Sequence, residues 1–183
     1  MTRAGDLPRR ICRLEDRAEI GELVARYCLG LDDRDLARMT ELFTPDAVVR
    51  SSDRVMHAAG LRAVVAMFRG RFAVLGPSNR FTHDRNVQFE DDDPDAASGI
   101  VLAHAEMNRR GQMLAAIRYA DRYRRLEGRW RIAERVIVLL LRPDRRVLGR
   151  TRAGACRPDA RLTTRRARPT GPRVDGWRAD HGP

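Results

Sequence analysis

The chain contains no lysine, so all 36 of its basic side chains are arginines. That bias is read first as the codon usage of a GC-rich genome and only second as phosphate recognition. Cysteine is scarce as well. Cys12, Cys28 and Cys156 are odd in number and far apart, and no C-x-x-C pair occurs, so neither a zinc site nor a disulfide framework is suggested. No apolar run approaches the roughly 20 residues of a membrane span. The opening stretch to Cys12 carries Arg3, Arg9 and Arg10 but no apolar core of a secretory signal. A cytoplasmic, reducing setting with no membrane contact is expected. The sequence has no G-x-G-x-x-G, no phosphate loop, no H-E-x-x-H and no serine-nucleophile motif, so no nucleotide or metal cofactor is expected. The acidic run Glu90–Asp95 lacks the spacing of a calcium loop and reads as a solvated hairpin connection.

What is present is unevenly distributed. The formal charge of the 183-residue chain is +11. Residues 1–141 hold 24 arginines against 21 acids, whereas residues 142–183 hold 12 against 4. The basic character is therefore concentrated in the last forty residues, which mix Arg, Pro, Gly, Asp and Thr with few apolar side chains. Such a segment buries too little apolar area to offset about 1–2 kcal/mol of backbone entropy per residue, and it is expected to be a disordered tail. Its arginine clusters lack aromatic stacking partners, so a nucleic-acid partner is not favoured.

Periodicity orders the rest. Ile20, Leu23, Val24, Tyr27, Cys28 and Leu31 fall on one helical face, with Asp16 and Glu19 as a possible capping box. A second short helix follows, with Leu36, Met39, Leu42 and Phe43 on one side. Thr44-Pro45 stops it. Ala47–Val49 reads as a short strand. A third helix is predicted from about Gly60, with Leu61, Val64, Val65, Phe68 and Phe72 as its stripe.

From Arg80 the period becomes 2. Phe81, His83, Val87 and Phe89 suggest one face of a strand, followed by strands over Ala97–Asn108, Met113–Arg125 and Trp130–Leu141. Short turns between them imply an antiparallel meander. Helices followed by a meander define an α+β domain, expected over residues 14–141 between a short N-terminal extension (1–13) and the tail (142–183). Val136–Leu141 is apolar on both faces, where a strand with one wet face would alternate; a homo-oligomer, dimer or trimer, would cover it.

The stretch from Ile20 through Tyr27, Leu31-Asp32, Asp35 and Leu42-Phe43-Thr44-Pro45-Asp46-Ala47 resembles the opening of SnoaL-like proteins. These belong to the nuclear-transport-factor-like superfamily. Arg118–Tyr123, Glu127–Ile132 and Arg135 resemble the closing hairpin of the same family, with Thr82-His83 and Asn86 between the two blocks. The resemblance covers about residues 14–141. It implies a curved antiparallel sheet wrapped around N-terminal helices, a cone enclosing a pocket. The subset it looks most like includes scytalone dehydratase, hexachlorocyclohexane dehydrochlorinase and bile-acid 7α-dehydratase.

By that resemblance, Asp32 and His83 would form a catalytic pair. Arg135 and Tyr27 would be pocket anchors, and His104 would stand where scytalone dehydratase has a second histidine. Counterparts of the paired tyrosines that hold water in scytalone dehydratase are absent. The chemistry would be proton abstraction by a neutral imidazole of pKa about 6.5, with the carboxylate fixing its tautomer and Arg135 or Tyr27 holding the developing charge.

Each residue also has a plainer reading. His83 can be a core histidine bonded to a carbonyl, and Asp32 a solvent-facing or capping residue. Arg135 interrupts an apolar strand and needs a partner, with Asp32, Asp121 and Glu134 as candidates. Tyr27 can be a core aromatic, and His104 shares its face with both Ile100 and Glu106. Arg85 falls on the same face as His83 by strict alternation, which is awkward in a core unless a bulge intervenes.

The functional expectation is a cofactor-independent lyase or isomerase, dehydratase-like, acting on a small hydrophobic or polycyclic molecule. The alternative is a noncatalytic small-ligand-binding protein, or a structural subunit resembling the small subunit of ring-hydroxylating dioxygenases.

Overall fold

The computed structural model of the chain describes residues 7–108 and 112–141. The expected disordered tail lies outside the described residues, as does Cys156. Three helices precede or interrupt six strands: α1 (Leu7–Asp32), α2 (Leu36–Glu41), β1 (Phe43–Ser51), β2 (His57–Ala59), α3 (Leu61–Val74), β3 (Ser78–Phe89), β4 (Ala96–Asn108), β5 (Gln112–Leu126) and β6 (Arg129–Leu141). The fold is α+β, as the order of periodicities implies.

The predicted stripe of α1 is the buried one, and Ile20, Val24 and Tyr27 are sealed almost completely. The helix itself begins at Leu7, well before the predicted capping box. Asp16 and Glu19 therefore do not cap it. They reach across to β6 instead: the Trp130 indole N–H donates to Asp16 Oδ1 at 3.1 Å, and the Trp130 backbone N–H donates to Glu19 at 2.9 Å. The N-cap role falls to Asp35, whose carboxylate accepts from the Arg38 backbone N–H at 2.9 Å and starts α2.

The sheet runs in the order β2-β1-β6-β5-β4-β3. Strands β3 to β6 form the predicted antiparallel meander. Two features were not anticipated. Strand β2 pairs antiparallel with β1, and β1 lies parallel to β6, a pairing possible because the whole meander intervenes between them in sequence.

The helices cover one face of the sheet, its inner face. The residues there include Val101, Ala103 and Ala105 of β4, Ala115, Ile117, Tyr119, Asp121 and Tyr123 of β5, and Ile132 and Arg135 of β6, all buried. Tyr27 sits at the centre of this core, edge-on to Phe43, Phe68 and Tyr119 with centroids 5.7–6.2 Å apart. Each such pair adds about 0.5–1.5 kcal/mol beyond its buried area.

Strand β3 carries a bulge that determines which of its side chains enter the core. Thr82 pairs with Ala103 and Arg85 with Val101, so three residues of β3 span two of β4. One extra residue reverses the sidedness of everything beyond it. Arg80 is inward before the bulge and Val87 inward after it, whereas Phe81 and His83 are exposed on the outer face. The predicted single face Phe81-His83-Val87-Phe89 is thus two faces joined at the bulge. Arg85 is accommodated in the same way. It turns toward α1, and its guanidinium lies where a Cβ on Gly21 would stand.

Candidate functional site

Between α1, α3 and the inner face of the sheet lies a cavity of about 380 Å³. Helix α1 contributes Tyr27 and Leu31, and α3 contributes Met67, Phe68 and Arg71. The chain leaving β1 supplies Ser51, Asp53, Val55 and Met56. The sheet supplies Arg80, Met107, Met113, Ala115, Ile117, Tyr119, Ile137 and Leu139. Four of the six methionines in the sequence line this one space. Thioether side chains adapt to irregular ligands and pack favourably on aromatic edges.

The polar groups of the wall are few and specific. Asp32, at the end of α1, accepts from Ser78 Oγ at 2.9 Å, from the Arg80 backbone N–H at 2.7 Å and from Arg80 Nη1 at 2.7 Å. The carboxylate is thus held by the first residues of β3, and it anchors that strand to the helix. Arg80 is almost fully buried. Its other terminal nitrogen, Nη2, meets Met107 Sδ at 3.6 Å. On α3, Arg71 Nη1 contacts Met56 Sδ. Asp53 Oδ1 accepts from Ser51 Oγ and from the Val55 backbone N–H.

Behind the cavity wall, Arg135 is fully buried and forms a forked pair with Asp121, with contacts of 2.8 and 2.6 Å. Tyr123 donates to the same carboxylate at 2.7 Å. The Arg135 guanidinium lies over the rings of Tyr27 at 4.0 Å and Tyr119 at 4.4 Å. Burial alone would lower its pKa, but the charge and hydrogen bonds of Asp121 reverse this and hold it above its ordinary value. Burial also raises the pKa of Tyr27, Tyr119, Tyr123 and Cys28. The Arg135 Nη1 nitrogen has no hydrogen-bond partner among the described residues.

Of the residues expected at the site, Tyr27 lines the cavity, Asp32 adjoins it through Arg80, and Arg135 stands behind Tyr27 and Tyr119 in the structural pair with Asp121. His83 and His104 are elsewhere. Both project from the outer face, where His83 Nε2 and His104 Nδ1 are in hydrogen-bond contact and Phe81 packs against both rings. The expected contact between His83 and Asp32 is not made: the bulge turns the imidazole outward, and Arg80 occupies the carboxylate.

The residues that sequence reasoning missed are Arg80, Arg71, Tyr119 and the four methionines. Arg85 was the available signal, since a charged side chain on a supposedly apolar face marks a break in alternation. Among the described residues, no three of His, Cys, Asp and Glu converge as a metal site would require. No helix of the described residues is long and apolar enough to cross a membrane.

Helices packed on one face of a six-stranded sheet, with a largely apolar cavity between them and buried arginines beside it, define a cavity-enclosing α+β domain. The chain belongs to the SnoaL-like domain family, whose model matches residues 12–136.

Similar solved structures include hexachlorocyclohexane dehydrochlorinase LinA-type3 from Novosphingobium barchaimii, at 19% identity and TM-score 0.64, covering 73% of this chain and 92% of that one. A candidate scytalone dehydratase from Novosphingobium aromaticivorans matches at 17% identity and TM-score 0.67, covering 72% and 89%. A candidate aromatic ring hydroxylase from the same organism matches at 22% and 0.63, covering 70% and 91%. At these identities the likeness establishes the fold. No curated protein matches the chain.

Proposed function

We propose that the protein binds a small hydrophobic molecule in the cavity between α1, α3 and the sheet. The observation that carries this reading is the lining itself. Four methionines, Phe68, Ile117, Ile137 and Leu139 surround a space within the usual size range of small-ligand pockets, and the few polar groups around it are placed rather than scattered.

A lyase or isomerase is the second reading, supported by the fold shared with a dehydrochlorinase and a candidate dehydratase. It does not run through His83 as base with Asp32 as orienter, because those groups do not meet. Among the described residues that line the cavity the carboxylate is Asp53, and a proton-abstracting reaction there would use it. Arginine cannot serve as the base, since it keeps its proton under all working conditions.

The reading extends to assembly. Phe81, Ile100, Leu102, Leu114 and Leu140 are exposed on the outer face of the sheet, where Val136 and Val138 of β6 also point. A homo-oligomer formed through this face would cover them.

The test uses N-phenyl-1-naphthylamine, a neutral fluorescent probe. Saturable binding at one site per chain is expected. Ile117→Trp, which fills the cavity, should weaken it at least about tenfold, a loss of roughly 1.4 kcal/mol, whereas His83→Ala should leave it unchanged. Nonsaturable binding, or equal binding by Ile117→Trp with a native circular dichroism spectrum, would sink the proposal.

A further inference from the structure

Helix α1 has a second apolar stripe, on the side away from the core. Leu7, Ile11 and Leu14 are 56%, 46% and 67% exposed, and Ala18, exposed as well, continues their line. The spacing of four, three and four residues is that of a coiled-coil seam. The buried Ile20, Leu23 and Tyr27 lie on the opposite side of the same helix. The seam ends at Gly21, where the Arg85 guanidinium fills the space beside the backbone.

The charges beside the seam are sorted by sign. Glu15 and Glu22 each follow a seam position by one residue and run along one flank. Arg10 and Arg17 each precede a seam position by one residue and run along the other. All four are exposed. Among the described residues, Arg10, Glu15 and Glu22 have no ion-pair partner. Arg17 donates to the Val87 carbonyl at 2.8 Å, which holds its side chain on the arginine flank.

We infer that α1 of a second copy of this chain docks on the seam, with the two helices parallel and in register about a two-fold axis. The flanks decide the direction. In a parallel pair, each arginine meets the acid five positions further along the other helix, so Arg10 faces Glu15 of the second copy and Arg17 faces its Glu22. In an antiparallel pair arginines would face arginines and glutamates glutamates. The seam decides the number of strands, because Ile11 alternating with Leu7 and Leu14 is the arrangement that favours two. Sorting by sign also favours a second copy over an anionic membrane surface, which would repel the glutamate flank. So short a seam would not hold free peptides together, but α1 is already folded against the sheet, so docking carries no cost of helix formation. This contact is separate from the outer face of the sheet.

The experiment is sedimentation velocity of the full chain over a roughly hundredfold range of concentration, since assembly follows mass action. Wild type should self-associate, and Ile11→Asp should weaken this by about a hundredfold, because it sets two buried carboxylates at the centre of the seam. Arg10→Glu and Glu15→Arg should each weaken it by about tenfold, since each sets like charges opposite one another at two symmetric places. An equimolar mixture of those two variants should associate as wild type does, because every contact is again between opposite charges. Circular dichroism checks that each variant is folded.

A wild type that stays monomeric at the highest concentration would overturn the inference, as would a monomer that instead co-sediments with phosphatidylglycerol vesicles. Association that Ile11→Asp leaves intact and Leu102→Asp removes would overturn it too, while leaving assembly through the sheet standing. A mixture no stronger than either variant alone would overturn the parallel arrangement.

Discussion

Arg135 and Asp121 face each other across β6 and β5 as a forked ion pair with no solvent exposure of either side chain. Tyr123 adds a third hydrogen bond to the carboxylate, and the guanidinium lies against the rings of Tyr27 and Tyr119. The pair therefore joins the two central strands to the core of α1. Removing one partner leaves a buried charge without compensation, which costs about 3–5 kcal/mol. Asp121→Asn and Arg135→Met should each destabilise the protein by that order in urea unfolding. Asp121→Leu with Arg135→Met should recover much of the loss, because two apolar residues replace two charges. Additive losses in the double variant would contradict this account.

The chain has three tyrosines, Tyr27, Tyr119 and Tyr123, and burial raises the pKa of all three above 10.0. Above about pH 10 the unfolded chain releases phenolic protons that the folded chain retains. Stability from this source is therefore complete below that pH and falls as pH rises through it. Absorbance at the phenolate band should stay flat until the protein unfolds in alkali, then rise in one step that coincides with loss of circular dichroism. A tyrosine titrating earlier, with the fold intact, would show a more open core.

Gly21 and Gly99 make opposite predictions. A Cβ at Gly21 meets only the far end of Arg85, a flexible side chain that can swing aside. Gly21→Ala should be neutral or stabilising by up to about 1 kcal/mol, the helix-propensity difference. A Cβ at Gly99 meets the Asn86 carbonyl oxygen at 2.9 Å and Tyr123 Cε2 at 3.2 Å. Gly99→Ala should destabilise by about 1–3 kcal/mol, since backbone and a packed ring must both shift. Thermal melts of the two variants should move apart; movement in the same direction would contradict the geometry.

Cys28 lies on the buried face of α1, and burial raises its thiol pKa, whereas Cys12 is exposed on the same helix. Thiolate is the reactive form. Iodoacetamide at mildly alkaline pH, read by peptide mass mapping, should modify Cys12 promptly and Cys28 only after denaturant is added. Comparable early labelling of both would mean that α1 opens far more readily than its packing implies.

The parts of the fold legible in the sequence were those governed by local periodicity. The stripe from Ile20 to Leu31 follows the helical repeat and is buried as a unit. Strands joined by short turns had to pair antiparallel. Arg135, in an apolar strand, required a partner, and Asp121 was among the candidates.

What escaped was set by pairing between distant segments. Strand β2 has only three residues, too few to leave a pattern. The parallel contact of β1 with β6 depends on the closed sheet rather than on any neighbouring residue. Asp16 and Glu19 have the spacing of a capping box, but their partner is Trp130, more than a hundred positions away. The placement of His83 failed for a similar reason. Alternation reports relative sidedness only along an uninterrupted ladder, and one inserted residue near position 84 broke it.

The bulge in β3 has a consequence for how such cones diversify. With Val87 and Phe89 kept in place, an unbroken ladder upstream would bring His83 and Phe81 inside and send Thr82 and Arg80 out. A guanidinium-walled chamber and an imidazole-walled one are therefore neighbours in sequence space, separated by where a single surplus residue is absorbed. Asp32 is the arbiter between them: by gripping Ser78 and both the main chain and the side chain of Arg80, it locks the strand into the first arrangement.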